Sequence, residues 1–152
     1  MNPQDLETLI RSRIPVADFM QLHVQQVQAD LVQLSAPLEP NRNVHGTLFG
    51  GSGTAIALVA AWSLVYARMQ DEGLDAPLVV ARQTTHYFKP VTGPVTARAT
   101  FESANTWADF TQRLAQGQRA RAGVVVELVQ ASAPVPGEVA ARVEALFAAV
   151  PR

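Results

Sequence analysis

The chain has 152 residues, 48% hydrophobic and 16% charged, with a formal net charge of −1 and no cysteine. That length fits one domain with a sizeable core, and the near-neutral balance lacks the electrostatic footprint of a nucleic-acid-binding protein. Without cysteine there are no disulfides, no thiolate nucleophile and no cysteine-ligated zinc.

The N-terminal MNPQDLETLIRSRIP carries acids early and no apolar run, unlike a secretory signal, so a cytoplasmic location is the expectation. Asp5 to Arg13 reads as a short helix closed by Pro15. Met20 to Gln28 alternates, with Met20, Leu22 and Val24 on one face. Leu31 to Ala36 alternates again, and Ala29-Asp30 between them suits a tight hairpin. Pro37 and Pro40 end that strand.

A glycine-rich loop follows, NRNVHGTLFGGSG from Asn41 to Gly53, and then a helix from about Gly50 to Gln70 that ends at Glu72-Gly73. No formally charged side chain lies between Arg42 and Arg68. The run is long enough to cross a bilayer, and Gly46 and Gly50 have small-xxx-small spacing. Its first third, however, is glycine-rich and carries Thr47, Ser52 and Thr54, and no basic cluster marks either end. A helix buried on all sides of a core is the better reading, and no membrane partner is expected.

From Leu78 the period switches to two. Leu78 to Lys89 puts Val80, Arg82, Thr84, His86 and Phe88 on one face; Val95 to Glu102 alternates after Pro90 and Gly93-Pro94. Trp107 to Leu114 reads as a further strand, Gln116-Gly117-Gln118 as a turn and Arg119 to Gln130 as another strand. The last eighteen or so residues, beyond Pro134 and Pro136, read as an amphipathic helix using Val139, Val143, Leu146 and Phe147. The order is then helix, two strands, long helix, four strands, terminal helix, in one domain over residues 1–152. A lone apolar helix among antiparallel strands buries its circumference only if the sheet curls around it, an α+β arrangement called the hotdog fold. Such a sheet leaves an open edge, which pairing into a homodimer would cover.

Chemistry concentrates in the glycine-rich loop. A helix start has backbone N–H groups without intrahelical partners and carries partial positive charge. Gly46, Gly50 and Gly51 would let a carbonyl approach that backbone and have its developing oxyanion stabilised; tight packing accounts for the same glycines. Asn41 and Asn43 could bond a carbonyl or orient a water, or simply cap turns. His45 is a candidate general base or a plain loop histidine. His23 and His86, on alternating strands, do not make a metal site with it. Ser52 lacks a nucleophile-elbow context, since Thr54 stands where a second glycine is required. Trp62 reads as core. Arg82 and Lys89 could meet a phosphate of coenzyme A or of a carrier arm, and a solvated face explains them equally well. No metal and no cofactor is expected.

Four segments in this order and spacing, IPVADFM, LSAPLEPNRNVHGTLFGGSG, AAWSLVYARM and HYFKPVTGP, resemble a family of bacterial hotdog domains assigned as thioesterases. In some bacteria that domain follows a GNAT acetyltransferase domain, for which this chain is too short. The resemblance spans roughly Leu6 to Ala131. It implies a hotdog fold, dimerisation with tetramers as a further state, and action on acyl thioesters of coenzyme A or acyl carrier protein. It places Asn43 where the upstream catalytic residue would fall; together with the reading of the loop, this makes Asn43, His45 and Thr54 the expected catalytic residues, with Asn41, Gly46, Gly50, Gly51, Ser52 and Lys89 near the thioester and Phe49, Leu58 and Phe88 along the acyl chain. In one respect the chain departs from the pattern. The GTLFGG segment is similar to the G-x-x-F-G-G of hotdog acyl-CoA thioesterases, where an acid on the helix assists. Counting from Phe49-Gly50-Gly51 that place holds Leu58; counting from His45-Gly46 it holds Thr54. Water activation would then fall to His45, to a water held by Asn43 and Thr54, or to the Arg82–Phe88 strand of a second subunit. Binding without efficient hydrolysis is the competing expectation.

Overall fold

The computed structural model describes residues 1–131 and 138–152. Two short helices, α1 (Pro3–Arg13) and α2 (Pro15–Phe19), lead into strands β1 (His23–Val27) and β2 (Leu31–Ala36). A 3-10 turn at Glu39–Asn41 precedes the long helix α3 (Gly50–Asp71); β3 (Leu78–Tyr87) and β4 (Val95–Phe101) follow. Helix α4 (Thr106–Ala115) interrupts the strands before β5 (Ala120–Gln130) and β6 (Val139–Ala149).

The strands form one antiparallel sheet in the order β1-β2-β4-β5-β6-β3, curled around α3 as the hotdog arrangement requires. Ile56, Ala57, Ala60, Ala61, Leu64 and Val65 of α3 are buried against Leu34, Ala97, Val126, Leu128, Val143 and Phe147 of the sheet. The alanines let the helix lie close to the strands, and the branched residues opposite fill the space at interior density. The apolar run that is long enough for a bilayer is therefore the core helix, though it is not buried on all sides as expected: Thr54, Leu58, Trp62 and Tyr66 stay half-exposed.

Two expectations about elements fail. The segment read as a strand at Trp107–Leu114 is helix α4, closing with Gly117 in the left-handed region at φ 70°. Its apolar residues Trp107, Phe110 and Leu114 fall at helical intervals, and Trp107 and Phe110 are the buried ones. The C-terminal segment read as a helix is strand β6, paired on both sides, to β5 and to β3. Alanine, glutamate and leucine favour a helix locally. Alternation also holds, however: Ala141, Val143, Ala145 and Phe147 are buried while Arg142 and Glu144 are exposed. Only this strand joins β5 to β3, so tertiary pairing overrides local propensity. The breaks expected at Pro134 and Pro136 lie outside the described residues.

Candidate active site at the start of the long helix

The loop ahead of α3 is held by its own side chains. Asn41 is 1% exposed; its Nδ2 donates to the Met20 carbonyl at 3.0 Å and the Pro37 carbonyl at 2.8 Å. Its backbone carbonyl accepts from the Phe49 N–H at 2.8 Å, which pins the loop's beginning to its end. Both amide hydrogens are spent, so Asn41 has no side-chain donor left for a substrate carbonyl. Asn43 closes the next turn: its Oδ1 accepts from the N–H groups of His45 at 2.9 Å and Thr47 at 3.1 Å, and its Nδ2 donates to Thr47 Oγ1 at 2.8 Å. This is the local turn-forming role open to asparagine. Gly46, at φ 79°, supplies the left-handed residue of that turn. His45 is exposed, and among the described residues its imidazole meets no hydrogen-bond or ion-pair partner.

The turn delivers the chain to an uncapped helix. Phe49 stands at the N-cap without a side-chain bond, and its carbonyl accepts from the Gly53 N–H at 2.9 Å. The N–H groups of Gly50, Gly51 and Ser52 precede the first intrahelical donor and meet no acceptor among the described residues. Three free donors and the positive end of a 22-residue helix dipole thus share one point.

The glycines answer first to packing. A Cβ on Gly50 would lie 3.2 Å from Tyr87 Oη and 3.3 Å from Tyr87 Cζ, and one on Gly51 would lie 2.6 Å from the Phe49 ring. At Gly53 it would crowd Leu128 at 3.3 Å. The close approach expected of a ligand at Gly50 and Gly51 is made, within this chain, by Tyr87 and Phe49.

Thr54, one turn into α3, lies 2.8 Å from Tyr87 Oη and 2.9 Å from Thr85 Oγ1. Tyr87 Oη donates to the Gly50 carbonyl at 2.7 Å, and Thr85 Oγ1 is 2.8 Å from Gln83 Oε1. A polar chain therefore runs from β3 across to the helix start. Beside it opens a cavity of about 400 Å³, walled by Thr47, Leu48, Phe88 and Val91 and floored by Leu128 and Ala141, with Gly50, Tyr87 and Lys89 at its edge. Lys89 Nζ forms an ion pair with Glu138.

Of the residues singled out in the sequence, Gly50, Phe88 and Lys89 meet at this cavity. Gly51, Ser52 and Thr54 adjoin it along the helix. Asn41, Asn43, His45 and Gly46 build the loop instead. Phe49 is exposed, and Leu58 sits half-buried further along α3. Thr47, Gln83, Thr85, Tyr87 and Leu128 were not singled out. For the β3 residues a signal existed: alternation put Gln83, Thr85 and Tyr87 opposite Arg82, Thr84 and His86, hence on the helix side. A bulge between Val80 and Arg82 keeps Val80 on that side too, against the buried Phe147.

Among the described residues no Asp, Glu or His lines the cavity, and the first acid on α3 is Asp71 at its far end. His23 bonds Glu7 through Nδ1 at 2.6 Å, and His86 stands opposite Arg142 on the outer face, so the three histidines stay apart. Among the described residues no group of three or more metal-ligating side chains converges.

The architecture recurs in solved structures. A "putative thioesterase" from Shewanella oneidensis superposes with a TM-score of 0.84 at 28% identity, covering 98% of this chain and 97% of that one. A protein of unknown function from Chlorobaculum tepidum gives 0.89 at 26% identity, covering 99% and 94%. A thioesterase from Haemophilus influenzae, at 13% identity and a TM-score of 0.77 over 99% and 92% of the two chains, shares the fold alone. A family profile matches residues 3–149, nearly the whole length. The chain belongs to the family described as "Putative thioesterase (yiiD_Cterm)".

Proposed function

We propose that this protein hydrolyses an acyl thioester of coenzyme A or of acyl carrier protein at the start of α3. One observation carries the reading: three uncommitted N–H groups, of Gly50, Gly51 and Ser52, beside an apolar cavity of about 400 Å³. A thioester carbonyl is a weak acceptor that becomes an oxyanion when water adds, so fixed amides favour the transition state over the ground state. Water adds to the carbonyl carbon and the C–S bond breaks. The carbonyl oxygen's extra charge collapses back, and the water's proton ends on the departing sulfur. The acyl chain lies against Phe49, Leu58 and Phe88, and Lys89 offers charge to a phosphate of the carrier. Water is held near the Thr54 hydroxyl. His45, exposed and uncommitted, is the nearest unpaired base in the loop sequence.

The site is completed by a second copy of the chain. Strand β3 is a ten-residue sheet edge whose side chains are mostly exposed, including Val79, Val80 and Tyr87, with the exposed Phe88 just beyond it. Along α3, Thr54, Leu58, Trp62 and Tyr66 form a half-exposed stripe at helical spacing. Edge-to-edge pairing of β3 with β3 would cover both and exclude water from the helix start.

Release of free thiol from a chain-length panel of acyl-CoA and acyl-carrier substrates tests the activity. Saturable release from at least one substrate is expected; none from any substrate overturns it. A second reading, binding without turnover, draws on the lack of an acid in the first turn of α3, the Glu138 carboxylate being taken up by Lys89. It is separated by equilibrium binding of the same acyl-CoA panel, where tight binding with no thiol release would favour it.

A further inference from the structure

Gln83, Thr85, Thr54 and Tyr87 make four short polar contacts that end on the Gly50 carbonyl. Three of these groups are hydroxyls, each with one proton. With Thr85 donating to Gln83 Oε1, only one proton remains for the two contacts of Thr54, if Tyr87 donates to Gly50. The carboxamide of Gln83 resolves the shortage by a half-turn, which brings Nε2–H to Thr85 instead. Every contact then has a proton and all run one way: Gln83 to Thr85, Thr85 to Thr54, Thr54 to Tyr87, Tyr87 to the Gly50 carbonyl. Aligned hydrogen bonds of this kind polarise one another.

The chain does not stop at that oxygen. The Gly50 carbonyl and the Gly51 N–H belong to one planar peptide unit. A donor on the oxygen draws electron density from the nitrogen and makes the N–H a stronger donor. The Gly51 N–H is one of the three uncommitted groups at the start of α3. Tyr87 also packs over Gly50, where a Cβ would come within 3.2 Å of its hydroxyl oxygen, so it fixes the peptide's orientation as well as its polarity.

We infer that Tyr87 is a positioning residue for the thioester carbonyl, acting through the Gly50–Gly51 peptide to orient and strengthen the Gly51 N–H, with Thr54, Thr85 and Gln83 aligned behind it. This rests on the thioesterase reading for its consequence in turnover, and on the observed contacts alone for the coupling itself. The hydroxyl at Thr54 thereby has a task that does not need a carboxylate there.

The test is Tyr87→Phe, which keeps the ring over Gly50 and removes only the donor. In the ligand-free protein, the Gly51 amide proton is expected to move upfield in the nuclear magnetic resonance spectrum, while amides at the far end of α3 stay in place. Thiol release should fall about ten-fold in kcat with KM within about two-fold, a smaller loss than deleting an oxyanion donor outright. Thr54→Val should shift the Gly51 amide the same way by less, and Thr54→Ser should restore it. An unmoved Gly51 amide in Tyr87→Phe overturns the coupling whatever the turnover does. A moved amide with unchanged kcat overturns the positioning role. A moved amide in a protein whose wild type releases no thiol supports the coupling and counts against the thioesterase reading.

Discussion

Asn41 and Asn43 show how one residue type can carry loop structure and still invite a catalytic reading. Both sit in a polar segment before a helix, where amide side chains serve turns and substrates alike, and sequence spacing does not separate the two. In the folded chain Asn41 spends both side-chain donors on Met20 and Pro37, and Asn43 spends its carbonyl on two N–H groups of its own turn, so both have a loop role whatever Asn43 does at a substrate. Replacing Asn41 with Ala would leave two carbonyls without their donor at a buried position. The expected cost is about 2 kcal/mol, read as a fall in thermal midpoint of roughly 4 to 8 °C for a chain of this size. At the same scale, Gly50, Phe88 and Lys89 were legible as candidates before the fold was known. Tyr87 was not singled out: alternation puts it on the helix side, but only the fold brings the helix start to 2.7 Å from its hydroxyl.

Among the elements, α3 was legible in full: a chargeless apolar run with a glycine-rich start and a glycine after its end sets both boundaries to within a residue or two. Its far end is secured by α4. Trp107 Nε1 donates to both Glu72 oxygens at 3.0 and 3.1 Å; its ring also lies 5.2 Å from Phe110 and 4.8 Å from the Arg68 guanidinium. Trp107→Ala removes all of these, and should cost about 3 to 5 kcal/mol in denaturant unfolding at an unchanged m-value. The cavity at Gly50 is at the opposite end of a helix of 22 residues. Turnover below the unfolding range should therefore stay near wild type; a large fall in kcat for this variant would tie the two ends together. The misread elements, α4 and β6, share a cause. Both contain patterns that fit either period over a short window, and the partner that decides between them lies elsewhere in the chain. For β6 the partners are β5 and β3, which no local signal names.

For the whole molecule, the curled sheet and its helix explain why the candidate site lies at an edge. β3 contributes Tyr87 and Thr85 to the helix start and, among the described residues, leaves its outer edge unpaired. Light scattering on the purified protein should give twice the 16.4 kDa chain mass or a multiple of it. A monomer at micromolar concentration would remove the second copy from the site. The fold class was legible because helix count, apolar length and strand alternation converge on one way to bury α3. The chemistry was less so, since it depends on hydroxyl and peptide groups that every protein has and only geometry makes useful.

That geometry can be examined with a ketone analogue of a turned-over acyl-CoA, methylene replacing sulfur and carbon-13 at the carbonyl, at saturating concentration. If the α3 amides hold the carbonyl, its infrared band will move to lower frequency on binding, and by less in Tyr87→Phe. A bound analogue whose carbonyl band stays at its position in water or moves to higher frequency would contradict the account.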